Sequence, residues 1–138
     1  MMNPRSLLKY LWASPCSAVG LVLAGIPCLL GARGRVRGGV LEVAFADPTH
    51  ALARGLLKLP YAGITFGHVV LAPTHQLQEA LRAHERAHVA QYERWGPVFL
   101  VAYPLSSLVQ VLRGRRGYAD NHFEVQARAK VPGENAFS

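Results

Sequence analysis

The segment His84-Glu85-Arg86-Ala87-His88 is the part of this sequence best equipped for chemistry. Residues four apart project from one face of a helix, so two imidazoles at this spacing can hold one metal ion. Glu85 follows His84 directly and reaches the water that such an ion would carry. Zinc lowers the pKa of a bound water to about 7, and a neighbouring carboxylate can take its proton as it attacks a carbonyl. His84 and His88 are therefore candidate zinc ligands and Glu85 a candidate general base. Gln91 continues the same face, seven positions after His84.

A catalytic zinc usually takes three protein ligands and keeps one position open. The stretch Asp120-Asn121-His122-Phe123-Glu124-Val125-Gln126-Ala127 offers three candidates for the third ligand: Glu124, His122 and Asp120. Glu124 is preferred, because Ala127 lies three residues on, on the same helical face. A small residue there lets this helix come close to the one that carries the histidines. Glu124 also fits a plainer role: with Asn121 as N-cap it occupies the position of a capping-box glutamate.

The two motifs together, an H-E-x-x-H helix and a downstream helical E-x-x-A from Glu124 to Ala127, resemble the gluzincin branch of zinc metallopeptidases. The runs HERAHVAQYERWG and YADNHFEVQA resemble a group of small bacterial membrane proteins with that layout. The specific part spans about 45 residues, Ala83 to Ala127. The resemblance implies His84, His88 and Glu124 as zinc ligands, Glu85 as general base, a peptide or protein substrate, and a place in the bacterial inner membrane. The chain is short for this class, and no second motif marks a transition-state stabiliser. Tyr118, close in sequence to Glu124, and His68, on an apolar strand with Ile64, Phe66 and Val70, are the candidates from residue chemistry.

The elements that must position these groups can be read around them. Thr74 is a plausible N-cap, Gln76–Trp95 contains no Gly or Pro, and Gly96-Pro97 ends the helix. Val98–Leu112 is almost wholly apolar and, at 15 residues, short for a membrane span. A last short helix is expected from Asn121, fading before Pro132. Upstream, Val40–Ala46 and Ile64–Leu71 read as strands, with a turn at Asp47-Pro48 and a short helix over Ala51–Leu59. In the first strand Leu41, Val43 and Phe45 alternate with Glu42 and Ala44. His50 falls in a loop and His75 at the start of the motif helix.

Residues Tyr10 to Ala32 form a run of 23 without charge, and about 20 suffice to cross a bilayer. Pro15 and Pro27 are expected to kink or end a helix there. No A-x-A site closes the run and Arg33, Arg35 and Arg37 follow at once, so an uncleaved anchor is expected. Three arginines follow the run while Arg5, Lys9 and the amino terminus precede it, so the positive-inside rule leaves the side of the C-terminal domain open, with only a slight lean to the cytoplasm. Cys16 and Cys28 lie 12 residues apart, roughly 18 Å along one helix, too far for a disulfide.

The chain has 138 residues, a net charge of +7, 51% hydrophobic and only 17% charged residues. This composition excludes a disordered chain and fits one domain. Arg33, Arg35, Arg37 and Arg113, Arg115, Arg116 each follow an apolar run, as anchors against anionic lipid do. A nucleic-acid surface would interleave them with exposed aromatics, so no nucleic-acid partner is expected. The expected whole is a mainly helical α+β, zincin-like minimal domain with a small β-sheet over 34–131. An N-terminal hydrophobic, membrane-spanning helix over 1–33 precedes it and a flexible tail over 132–138 follows.

Overall fold

The computed structural model describes residues 3–46, 51–56 and 63–130. It is a mixed α and β structure, mainly helical: α1 (Pro4–Leu29), β1 (Arg33–Arg37), β2 (Val40–Phe45), α2 (Ala51–Leu56), β3 (Ile64–Phe66), β4 (Val69–Thr74), α3 (His75–Trp95), a short 3-10 turn (Gly96–Val98), α4 (Phe99–Leu112) and α5 (His122–Ala129). The turn expected at Asp47-Pro48, His50, the end of the helix expected over 51–59 and the tail 132–138 lie outside the described residues.

Helix α1 begins at Pro4 with Asn3 as N-cap, whose side chain accepts from the Arg5 backbone N–H at 2.7 Å. It runs through Pro15 without ending. Proline cannot supply the N–H that would bond the Leu11 carbonyl. The Ser14 hydroxyl donates to that carbonyl instead, at 2.7 Å, so the helix continues with its acceptor satisfied. Ala13, Cys16, Gly20 and Ala24 are buried at helical spacing, while Leu8, Val22 and Leu29 on the remaining surface are exposed. Small residues thus form the packed face and large apolar ones the outer face. Cys16 and Cys28 are both free.

The four strands are ordered β1-β2-β4-β3, with β2 and β4 parallel and the other two pairs antiparallel. Leu41, Val43 and Val69 share a core with Ala24 of α1 and Ala53 of α2. Val40 and Val70, on the opposite face, pack on Val89 of α3. Glu42 also lies on that face. It is buried to 3% and takes the Arg82 guanidinium at 3.0 and 3.1 Å. Alternation in β2 therefore does not separate a wet face from a dry one, because helices cover both. The β2–β4 register shifts between Val43 and Phe45, next to Pro73, which has no N–H to give the ladder. Gln78 of α3 donates its amide to the Val43 and Val70 carbonyls there, at 3.3 Å each.

Two expectations are corrected. The run Ile64–Leu71 is not one strand but a hairpin, broken at Gly67, which takes φ +60°. Arg33–Arg37 is not a bare cationic flank but strand β1, paired along its length with Val40–Ala44.

The C-terminal helices are held by aromatic packing. Phe99 is 2% exposed and meets Tyr92, Tyr103 and Phe123 at ring-centre distances of 4.4, 5.6 and 4.8 Å. Ala127 of α5 is fully buried, which allows α5 to lie close against α3. Two stretches, Pro4–Leu29 and His75–Leu112, are long and apolar enough to cross a membrane by length and composition, a test that core helices also pass.

Gly20 reports how α1 is docked. A Cβ there would lie 2.8 Å from the Val69 Cβ and 2.9 Å from the Phe66 Cβ. In a free helix Gly→Ala stabilises by about 1 kcal/mol. Here Gly20→Ala is expected to destabilise by about 1–3 kcal/mol through overpacking. Thermal unfolding in detergent gives the sign, and a stabilised variant would mean that α1 does not sit on the sheet.

Candidate metal centre

Helix α3 places the two histidines one turn apart, as the spacing predicts, with Thr74 as N-cap accepting from the Leu77 N–H at 3.2 Å. Both rings are buried, and their Nε2 atoms lie 3.1 Å apart. Glu124 reaches them from α5. Its Oε2 is 3.0 Å from His84 Nε2 and its Oε1 is 3.2 Å from His88 Nε2. Among the described residues, His84, His88 and Glu124 form the one group of three such side chains able to hold a metal ion.

The capping role open to Glu124 in the sequence is not the one it takes. Asn121 caps α5 by accepting from the Phe123 N–H at 2.9 Å, and the Glu124 carboxylate turns to the histidines. It also accepts a hydrogen bond from the Tyr103 hydroxyl, 2.5 Å from Oε1. Burial alone would raise the pKa of this carboxyl. The hydrogen bonds from His84, His88 and Tyr103 outweigh that and hold it well below the usual carboxylate range.

The state of His88 follows from its neighbours. The Gln91 amide nitrogen donates to the Phe123 carbonyl at 2.9 Å and to Gln126 Oε1 at 2.8 Å. A backbone carbonyl only accepts, so the Gln91 amide is fixed with its oxygen toward His88 Nδ1, at 2.9 Å. Nδ1 must then carry a hydrogen. In the neutral ring Nε2 is left with a lone pair aimed at His84 Nε2 and at a carboxylate oxygen. That arrangement is repulsive unless a cation or a proton sits between them. Burial disfavours the proton, but the Glu124 and Glu85 carboxylates outweigh burial and raise the His88 pKa in the metal-free chain. A proton, on His88 or on His84 Nε2, or a metal ion can fill that point.

Glu85 faces the other way along the helix surface, toward β3. Its Oε2 accepts from the Thr65 hydroxyl at 2.5 Å. Its Oε1 lies where a Cβ on Gly63 would approach to 2.9 Å, so the bare glycine leaves it room. Burial pushes the Glu85 carboxyl above its usual pKa, against the opposing pull of the Thr65 hydrogen bond and the two imidazoles. Glu85, His88 and Glu124 line one cavity of about 330 Å³, whose other walls include Phe66, Phe99, Leu100 and Tyr103.

The remaining sequence candidates separate. Tyr118 lines the same cavity. His68 does not reach it. It sits in the β3–β4 turn, stacked on Tyr10 with ring centres 4.0 Å apart, and its Nε2 is 3.7 Å from Glu93. The strand face it was expected to share ends at Gly67. His122 is exposed and its ring packs on Phe123. Asp120 pairs with Arg116 at 3.3 Å. Tyr103, Thr65 and the fixing role of Gln91 were not legible in the sequence. Tyr103 lies inside an apolar run and reads as packing, and Thr65 meets Glu85 only through the pairing of Thr65 with Val70, which puts it on the α3 side of the sheet. No family model, no curated protein and no solved structure matches this chain.

Proposed function

We propose that this chain is a membrane-associated zinc-dependent peptidase, with His84, His88 and Glu124 as zinc ligands and Glu85 as general base. The observation that carries this reading is the buried triad with its fixed tautomer: three donor atoms converge, and Gln91 leaves the His88 lone pair facing inward. With one donor atom from each side chain, all three lie within 4.8 Å of one another, and the two imidazole Nε2 atoms are 3.1 Å apart, close to the edge of about 3.3 Å of a tetrahedral site with bonds of about 2.0–2.1 Å. Two imidazoles and a carboxylate are a donor set suited to zinc. The resemblance of the H-E-x-x-H and E-x-x-A pair to gluzincins supports the same assignment.

Zinc, when bound, would supply Lewis acidity and a water of lowered pKa. The chain's own groups do the rest. Glu85 accepts the proton of the attacking water and hands it to the leaving amine, while Thr65 holds its second oxygen still. Tyr103 steadies Glu124. The cavity beside Glu85 receives the peptide, and Tyr118 on its wall is a candidate to stabilise charge on the scissile carbonyl.

A closed, structural metal site would need a fourth protein ligand. Asp120 and His122, the other candidate ligands in the sequence, do not join the cluster: Asp120 pairs with Arg116 and His122 is exposed. That no fourth ligand joins the cluster among the described residues favours a catalytic site. The test is metal content by elemental mass spectrometry on protein purified in detergent. About one zinc per chain is expected, lost in His88→Ala and in Glu124→Ala. Metal-replete protein that carries none would overturn the reading. Gln91→Leu is expected to keep the fold and lower metal affinity about 10–100-fold, read by competition with a chromogenic chelator.

A further inference from the structure

The apolar surface of α1 is long enough to cross a bilayer, but its packing argues against a crossing. Between Tyr10 and Ala24 one face of α1 is engaged by the rest of the chain. Tyr10 donates to the Gly39 carbonyl and stacks on His68, Ser17 accepts from the His68 N–H, and Ala24 sits in the core with Val43 and Val69. That stretch is about 21 Å of a helix about 39 Å long. A hydrocarbon core is about 30 Å thick, so any crossing would carry the covered stretch into it. With it would go the His68–Glu93 pair and the neighbouring sheet. Strand β1 is an edge strand, exposed at all five residues and carrying Arg33, Arg35 and Arg37. An open sheet edge has no partners for its backbone in lipid.

The outer surface is nonetheless unsuited to water. Leu8, Val22 and Leu29 are 65, 73 and 89% exposed on α1, and Leu112 is 77% exposed on α4. The Trp12 indole of α1 lies against Gly96, in the turn that leads into α4. Trp95 and Val98, on either side of that glycine in the chain, are exposed apolar residues as well. Tryptophans at such a rim are typical of the headgroup level. Cations lie at its ends and are exposed: Arg5 and Lys9 in the first two turns of α1, Arg33 and Arg35 after it, Arg113, Arg115 and Arg116 after α4. Apolar helices bounded by arginines complement an anionic lipid surface in both respects.

We infer that α1 and the outer face of α4 lie in the plane of an anionic membrane interface, embedding the domain in one leaflet rather than anchoring it by a crossing helix. The inference needs only membrane association and is independent of the peptidase assignment. It brings α4, a wall of the cavity through Phe99, Leu100 and Tyr103, to the lipid boundary.

The experiment compares Asn3→Cys with Arg35→Cys, each in full-length protein carrying Cys28→Ser. Cys16 is fully buried and stays in place. A membrane-impermeant maleimide is applied to right-side-out and inverted membrane vesicles. Both positions are expected to react in the same vesicle orientation. Reaction in opposite orientations means that α1 crosses, and overturns the inference. The unmodified chain is also floated with phosphatidylethanolamine vesicles with and without phosphatidylglycerol. Replacing Arg113, Arg115 and Arg116 together by serine is expected to weaken binding to the phosphatidylglycerol vesicles on the order of a hundredfold, because each cation near an anionic surface is worth about fivefold. Protein that stays in solution, including as a dimer that hides this face, overturns the inference, as does binding indifferent to the three arginines. Neither readout depends on metal content, so failure here is separable from failure of the peptidase reading.

Discussion

A Glu85→Gln variant is expected to hold its metal as the wild type does and to hydrolyse peptides roughly 10²–10⁴-fold more slowly, the usual worth of a positioned general base. The separation of the two effects rests on geometry. Glu85 is not in the group that converges on the metal position; it hangs from the next residue of α3 and is tied to Thr65 on β3. Glutamine has the same shape, and its amide oxygen can still accept from the Thr65 hydroxyl, so packing is retained. What is lost is an oxygen able to take a proton. Burial already raises the Glu85 pKa, the direction that makes a carboxylate a stronger base. Thr65→Val removes a hydrogen bond that favours the ionised form. It is therefore expected to move the rising limb of the kcat/KM profile to higher pH. A fluorogenic peptide library and elemental analysis of the same preparations provide the readouts. Undiminished turnover in Glu85→Gln would remove Glu85 from the chemistry.

The H-E-x-x-H helix was legible in the sequence because its information is local. Thr74 starts it, Gly96 stops it, and the four-residue spacing fixes which side chains share a face. Glu124 was legible for a related reason: Ala127, three residues on, marks the face of α5 that must approach another helix, and in the structure that alanine is fully buried. The contacts that complete the site are not local. Tyr103 and Glu124 are separated by 21 positions, and the docking of α5 on α4, through Phe99 against Phe123 and Asn121 against the Tyr103 carbonyl, brings them together. The misplacement of His68 had a visible signal, since a glycine inside an apparent strand often marks a break. Strand β1 had one as well. Gly38-Gly39 between two alternating runs is a hairpin signature, and both glycines take positive φ. The arginines drew attention to charge and away from that alternation. For α1, apolar length was legible but direction was not, because the same composition suits a helix surrounded by lipid and one docked on a sheet by its small residues.

The second large effect concerns competition between a proton and a metal ion for one nitrogen. In the metal-free chain the His88 pKa is raised by Glu124, after burial is overcome. A raised histidine contributes stability that is fully present below its ordinary value, about 6.5, and is lost as pH rises through the folded value. Glu124 has the opposite sign. Its lowered pKa contributes stability above about 4.3 that is lost as pH falls through the folded value. Chelated wild-type protein should therefore draw most from this cluster between these two ordinary values and lose stability as pH rises past the folded His88 value. Added zinc should restore it at neutral pH. A ligand at a hundred times its Kd stabilises by about 2.7 kcal/mol, which for a domain of this size is a rise in Tm on the order of 10 °C. In Glu124→Gln the charge that holds the His88 proton is gone, and with it one metal ligand. The metal-free variant should lose the decline on the alkaline side, and zinc should no longer raise its Tm. Thermal unfolding between pH 5 and 8, with chelator and with zinc, measures both. A zinc-induced rise that survives in Glu124→Gln would take Glu124 out of the ligand set, and a flat profile in chelated wild type would mean that His88 carries no proton for the metal to displace.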